Sequence, residues 1–235
     1  MENHQTPNAP MVSQLADDAR VTFYKKTYMH LAGAVLLFIL VETLFFQIDF
    51  IVEFALSLTG GVSWLLLLGA FMLVTNYAEK MAVSSNNTNT HYAGLVLYVI
   101  AEAFIFIPLI FIAMIMAEDG AFSILNQAAV LTLSLFTGLS AVVFITKKDF
   151  SFLKSALTIG FFIAIGLIIA GTLFGFNLGL WFSAGMVILA SGSILYQTSN
   201  MIHKYKEDQY VAASLGLFAS LMLLFWYILS ILSND

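Results

Sequence analysis

The sequence predicts an all-α membrane protein of seven transmembrane helices, with the N-terminus cytoplasmic and the C-terminus outside. Composition is the first observation. Apolar residues make up 60% of the 235 positions and charged residues only 10%, with a mean hydropathy of +0.93; a soluble domain carries about 25% charge. Apolar runs of 18 residues or more recur along the chain, and such runs read as bilayer spans rather than as pieces of one buried core. The third observation is the spacing of the basic residues, which alternates with those runs.

Residues 1–20 are polar, with Pro7, Pro10, Asp17 and Asp18. They have neither the apolar core of a signal peptide nor the Arg-rich pattern of a transit peptide, and we expect a disordered cytoplasmic tail ahead of one transmembrane domain over 21–235. The first apolar run covers about 28–47, entered through Arg20, Lys25 and Lys26. A short connector with Asp49 and Glu53 leads to the second, about 61–78. SSNNTNT at 84–90 is small, polar and aperiodic, so a loop is expected there. The third run, about 91–117, is long enough to cross with tilt and closes at Glu118-Asp119-Gly120. The fourth, about 125–146, stops at Lys147, Lys148 and Asp149. The fifth is about 152–174. A GFNLG turn at 175–179 leads to the sixth, about 178–200, and the seventh is about 210–232.

An odd number of spans puts the termini on opposite sides. The nine basic residues are Arg20, Lys25, Lys26, Lys80, Lys147, Lys148, Lys154, Lys204 and Lys206. Each falls at the N-terminus or in the second, fourth or sixth connector, which the positive-inside rule assigns to the cytoplasm. Asp49, Glu53, Glu118, Asp119 and Asp235 fall on the other side. They either form an acidic vestibule that concentrates cations or are simply tolerated there, because acids contribute little to topology.

Two acids lie within predicted spans. Glu42 sits five residues before Gln47 and can snorkel to the interface. Glu102 lies 11 residues from His91 and 16 from Glu118, roughly 16 and 24 Å at about 1.5 Å per residue. That is mid-membrane, where a charged carboxyl costs roughly 2.5–3.5 kcal/mol. Glu102 is therefore expected to face the bundle interior. Pro108 in the same run frees the carbonyl of Phe104. A kinked helix with a buried Glu suits a cation or proton path; a protonated packing contact is the other reading.

Catalytic and cofactor signatures are missing. The chain has no cysteine, no Asp inside a span, no His deep in a span, and no HExxH, phosphate-loop or dinucleotide fingerprint. LASGS at 189–193 lacks the leading Gly of a GxSG motif. No basic, aromatic-interleaved patch points to nucleic acid. We expect a non-enzymatic protein with no cofactor, and no metal site is assigned.

Small residues are more regular. Ala212, Gly216 and Ser220 recur every fourth residue of the seventh run, and Gly185, Gly192 and Ser199 every seventh of the sixth. Both patterns are expected to be helix-packing seams, since small side chains let backbones approach closely. They flank the chain's longest charged interval between two spans, within 190–222.

On ILYQTSNMIH (194–203) and AASLGLFASLMLLFWYILSIL (212–232), supported by YKKTYMHLAG (24–33) and YAGLVLYVIAEAFIFIPL (92–109), the chain resembles the transmembrane Bax inhibitor motif family, particularly its bacterial members. The resemblance implies six helices around a central seventh. It also implies a pH-sensitive calcium leak gated by two acids, one after the Tyr near the end of the sixth helix and one in the seventh. Two nearby carboxyls cannot both ionise cheaply, which makes such a pair a proton sensor. This chain has Gln197 after Tyr196, and Ser220 at the seventh-helix position. An amide and a hydroxyl can still hydrogen-bond across the two helices, but neither titrates near neutral pH. The expected latch is therefore Gln197 with Ser220.

Two functions follow as expectations. One is a cation leak pathway, for Ca2+ or another cation, without the di-acid sensor. The other is a regulatory or interaction protein of membrane quality control or stress response that contacts membrane-protease machinery. A polar cavity reaching Glu102 from the cytoplasmic side favours the first, and a dry bundle the second. The bacterial likeness suggests the cytoplasmic (inner) membrane.

Overall fold

A computed structural model of the chain describes residues 9–84, 87–117 and 122–233. Expectations for residues 1–8, Ser85, Asn86, Glu118, Asp119, Gly120 and Asp235 lie outside the described residues. Among those described, a short 3-10 turn at Val12–Gln14 precedes eight α-helices: α1 (Asp17–Phe45), α2 (Asp49–Ser57), α3 (Gly61–Ser84), α4 (Thr88–Met116), α5 (Ser123–Thr146), α6 (Leu153–Phe174), α7 (Gly179–His203) and α8 (Tyr210–Leu232). All but α2 are long and apolar enough to cross a membrane.

Helix ends follow local chemistry. Asp17 and Asp18 occupy the first turn of α1, where the helix dipole favours negative charge. The Asn87 side chain accepts the Asn89 amide and starts α4, so Thr88–Thr90 belong to the first turn of that helix and not to a loop. Gly175, at φ +73°, ends α6, the left-handed cap for which glycine is suited, and the turn expected at 175–179 is present. Lys147 ends α5 in the same conformation at φ +52°.

Two connecting regions differ from expectation. The connector after α1 is itself helical: α2 packs on α4 and α1, with Ala55 fully buried and the Phe54 and Phe104 rings 6.2 Å apart. At nine residues it is too short to register as a span. The expected disordered tail is corrected over residues 10–20. Met11 pairs with Lys206 in an isolated antiparallel bridge, and Val12 donates to the Tyr205 carbonyl at 2.9 Å. Val12 is fully buried, and α1 starts at Asp17. The cause is pairing with the α7–α8 link, a partner about 190 positions away that local polarity does not reveal.

The centre of the bundle is α8, which packs on α1, α3, α4, α5 and α7. It shares the core with α4, the other span with more than half its apolar window buried. α6 sits outermost, against α7 and α3, and reaches α8 through the Ala164, Met186 and Tyr227 cluster. Large apolar side chains point outward: Trp181 is 88% exposed, Phe174 80% and Ile145 80%. In water such a surface would drive association; in a bilayer it meets acyl chains. Helix association inside lipid then relies on close packing and interhelical hydrogen bonds, because lipid tails are as apolar as leucine.

The link between α3 and α4 and the links α5–α6 and α7–α8 share one end of the bundle with the start of α1. The contacts of His30 with Tyr92 and Tyr210, Ser199 with Phe150 and Met11 with Lys206 tie them together. This is the end that carries the basic residues of the tail and links.

Candidate functional site: the α7–α8 seam

α7 and α8 run antiparallel, and their residues face each other in one register. Gln197 lies flat on Gly216: a Cβ built on that glycine would be 3.0 Å from Gln197 Oε1 and 3.1 Å from its Cδ. One turn further into the bundle, Ser193 Oγ and Ser220 Oγ are 2.8 Å apart. Ser220 donates to the Gly216 carbonyl at 3.0 Å, so Ser193 supplies the proton between the two hydroxyls. Both contacts have residue numbers summing to 413, the mark of a constant antiparallel register.

The expected Gln197–Ser220 latch is therefore not formed. The two side chains stand one helical turn out of step, with Gly216 opposite Gln197 and Ser193 opposite Ser220. Ser193 escaped notice in the sequence because nothing in the spacing showed which α7 hydroxyl would face Ser220.

The small-residue faces divide. Ala212 is 3% exposed and Ser220 also 3%; Gly216 and Ser220 meet α7 through Gln197 and Ser193. The α7 repeat does not form a seam of its own. Gly192 faces α6, where a Cβ would meet Leu157 Cδ2 at 3.3 Å, and Gly185 has nothing within 4 Å. Seven residues fall only about 20° short of two helical turns, so these glycines share a face and differ in what lies beside them along its length.

Ser199, the third member of that repeat, is fully buried and anchors the α5–α6 link to α7. Its Oγ accepts the Phe150 amide at 2.9 Å and donates to Asp149 Oδ1 at 3.3 Å. Asp149 also accepts the Ser151 amide at 2.9 Å and the Ser151 hydroxyl. These bonds, led by the Ser151 hydroxyl, hold its carboxyl below the usual aspartate value, helped by His203 and Lys204. His203 Nδ1 is 3.0 Å from the Ser199 carbonyl. Lys204 Nζ lies 5.5 Å from the centre of the half-buried Tyr196 ring, a cation–π contact. In the link itself, burial pushes the Tyr205 phenol up to about 12, with Glu79 and Tyr196 adding to the effect.

The two intramembrane acids lie inside the bundle. Glu102 is 5% exposed and Glu42 6%, so Glu42 does not snorkel: the carboxyl points into the α1 packing face, among buried residues spaced by three and four. Glu102 Oε2 and both Glu42 oxygens have no hydrogen-bond partner. Two grooves open on the bundle surface, one between α1 and α4 and one along α3, and neither is lined by Glu102 or Glu42. Among the described residues no three His, Cys, Asp or Glu side chains are grouped to hold a metal ion.

The fold and seam define a polytopic membrane bundle with a central, hydroxyl-bonded helix pair. Residues 20–235 match the family described as "Inhibitor of apoptosis-promoting Bax1", and the chain belongs to that family. It is 41% identical over 110 residues to an uncharacterised protein of Pseudomonas aeruginosa, covering 46% of this chain and 49% of that one. It is 38% identical over 94 residues to the modulator of FtsH protease YccA of Escherichia coli K12, covering 40% of this chain and 42% of YccA. The matched stretch thus spans about half the length of each of these relatives. An uncharacterised Neisseria meningitidis protein is 31% identical over 176 residues, 73% of this chain and 74% of that one.

Proposed function

We propose that this protein works by contact, as a regulator in membrane-protein quality control. The observation that carries this reading is the seam itself. Gln197 and Ser220 occupy the two positions where the family resemblance calls for titrating acids, and each is engaged elsewhere, on Gly216 and on Ser193. A packed glycine contact and a hydroxyl pair have no proton to gain or lose near neutral pH, so the helices have no acid latch to release. The partner class is a membrane-anchored protease, supported by the likeness to a protein named a modulator of FtsH protease. The inner membrane is its proposed home, supported by the name "inner membrane protein" given to the same relative in another Escherichia coli strain.

The test is co-reconstitution of the full chain with a membrane-anchored AAA protease and a membrane substrate. Cleavage changes with the amount of this protein if the reading holds, and is indifferent to it if not. A second reading, a cation leak, draws on the unpartnered Glu42 carboxyl and Glu102 Oε2. It is tested in dye-loaded proteoliposomes at pH 6 and pH 8 with Ca2+ outside, using wild type and the Gln197→Asp/Ser220→Asp variant. The contact reading expects no flux above empty vesicles from wild type at either pH. Wild-type flux would establish the leak in its place.

A further inference from the structure

We infer that the groove between α1 and α4 is a binding site for one anionic phospholipid of the leaflet at the basic end. The groove encloses about 300 Å3 and has a wall on each helix, Gly33 and Ala34 on α1 and Leu95 and Val96 on α4. It opens to the bilayer, since Met29 beside it is 72% exposed and Val96 41%. Gly33 creates the space: a Cβ there would meet nothing within 4 Å. The lining is apolar and slot-shaped, suited to an acyl chain.

The polar end of the groove supplies the headgroup contacts. His30 Nδ1 donates to the Lys26 carbonyl at 2.6 Å, which leaves Nε2 of the neutral ring to accept the Tyr92 hydroxyl at 3.0 Å. Tyr92 and Tyr210 hydroxyls are 3.5 Å apart, and Lys26 Nζ stands 5.3 Å from the centre of the Tyr210 ring. The Tyr92 proton is thus spent on His30, and the Lys26 ammonium and the Tyr210 hydroxyl, from two helices, are the donors at this end of the groove. Lys25 adjoins them. α1 has no acid between Asp18 and Glu42, and α4 none before Glu102; the acids Glu207 and Asp208 precede Tyr210 in the exposed link. A phosphate is the complementary charge: a basic residue near the surface attracts anionic headgroups, and Tyr side chains favour the membrane interface.

The other groove provides the comparison. All its lining residues, from Leu65 to Lys80, belong to α3. It has a wall on one helix only, so although Tyr77 and Lys80 stand at its polar end, it does not enclose an acyl chain between two helices.

The experiment titrates the detergent-solubilised full chain with phosphatidylglycerol or phosphatidylcholine of identical acyl chains and reads bound lipid by native mass spectrometry. Phosphatidylglycerol is expected to bind more tightly. Lys26→Gln weakens it about fivefold, from ~1 kcal/mol per basic residue near an anionic headgroup, and Tyr210→Phe also weakens it. Gly33→Leu fills the slot and abolishes the preference, while Gly69→Leu, equally unobstructed on α3, leaves it unchanged. Equal affinity for the two lipids overturns the inference. So does wild-type affinity in Lys26→Gln and Tyr210→Phe, or an equal loss in Gly69→Leu. The two polar variants keep the test decisive if Gly33→Leu fails to fold.

Discussion

Replacing Gly216 by Ala probes the seam directly. The new Cβ would stand 3.0 Å from Gln197 Oε1, 3.1 Å from Cδ and 3.4 Å from Nε2. Unstrained contacts lie at about 3.5–4.0 Å, so the amide overlaps the methyl by about half an ångström. Either Gln197 leaves its position or α7 and α8 separate. Overpacking of this kind costs about 1–3 kcal/mol, against a gain of about 1 kcal/mol from replacing a mid-helix glycine. The net expectation is destabilisation of about 1 kcal/mol. Truncating the amide removes the obstacle, so in the Gln197→Ala background the same Gly216→Ala change should be stabilising by about 0.5–1 kcal/mol, the helix-propensity gain alone. The sign reversal is the diagnostic result, because neighbouring residues show coupling in a double-mutant cycle and distant ones do not. Unfolding in detergent, followed by circular dichroism for the four proteins of the cycle, measures it. If Gly216→Ala has the same effect with and without the Gln197 amide, the two residues are not in contact and the register is wrong.

Four further outcomes are expected. Gly94→Ala should be the most damaging glycine substitution in the bundle, at about 2 kcal/mol or more, because its Cβ would meet backbone atoms of α3, the Ala78 carbonyl at 2.6 Å and the Ala82 amide at 2.9 Å. Gly138→Ala, with nothing within 4 Å, should instead stabilise in the same thermal assay. Ser199→Ala should cost about 1–3 kcal/mol, because it leaves the Phe150 amide without its acceptor, and should raise hydrogen exchange at Phe150. Asp149 gives a pH signature. Its folded value lies below the unfolded one, so its stabilisation is present above the ordinary aspartate pKa and is lost as pH falls through the folded value. Wild type and Asp149→Asn should therefore differ in thermal stability at pH 7 and converge towards pH 3; a constant difference would refute the role of the carboxylate.

Much of the architecture was legible in the chain, for reasons that are local. A span announces itself by its own apolar length, and the parity of basic loops orders the spans about the membrane. Glu102 was recognisable as buried because its distance from both helix ends is a matter of counting residues. Glu42 was not, because five residues from a helix end leaves room to snorkel and only the packing of α1 shows that the carboxyl is covered. The tail behaved likewise: Pro10–Leu15 has no periodicity of its own, and its order comes from hydrogen bonds to Tyr205 and Glu207.

Hydropathy and loop charge, then, determined the number of spans and the sharing of one end by Arg20, Lys80, Lys147 and Lys204. The family resemblance in turn implied two acids where the α7–α8 hairpin carries Gln197 and Ser220. The tertiary structure alone decided which α7 residue faces which α8 residue. Helical periodicity specifies a face but not the axial offset between two helices, and an offset of one turn separates the expected Gln197–Ser220 pair from the observed Gln197–Gly216 and Ser193–Ser220 contacts. The same holds for the α1–α4 groove, whose His30, Tyr92 and Tyr210 come from three spans that meet only when the bundle closes around α8.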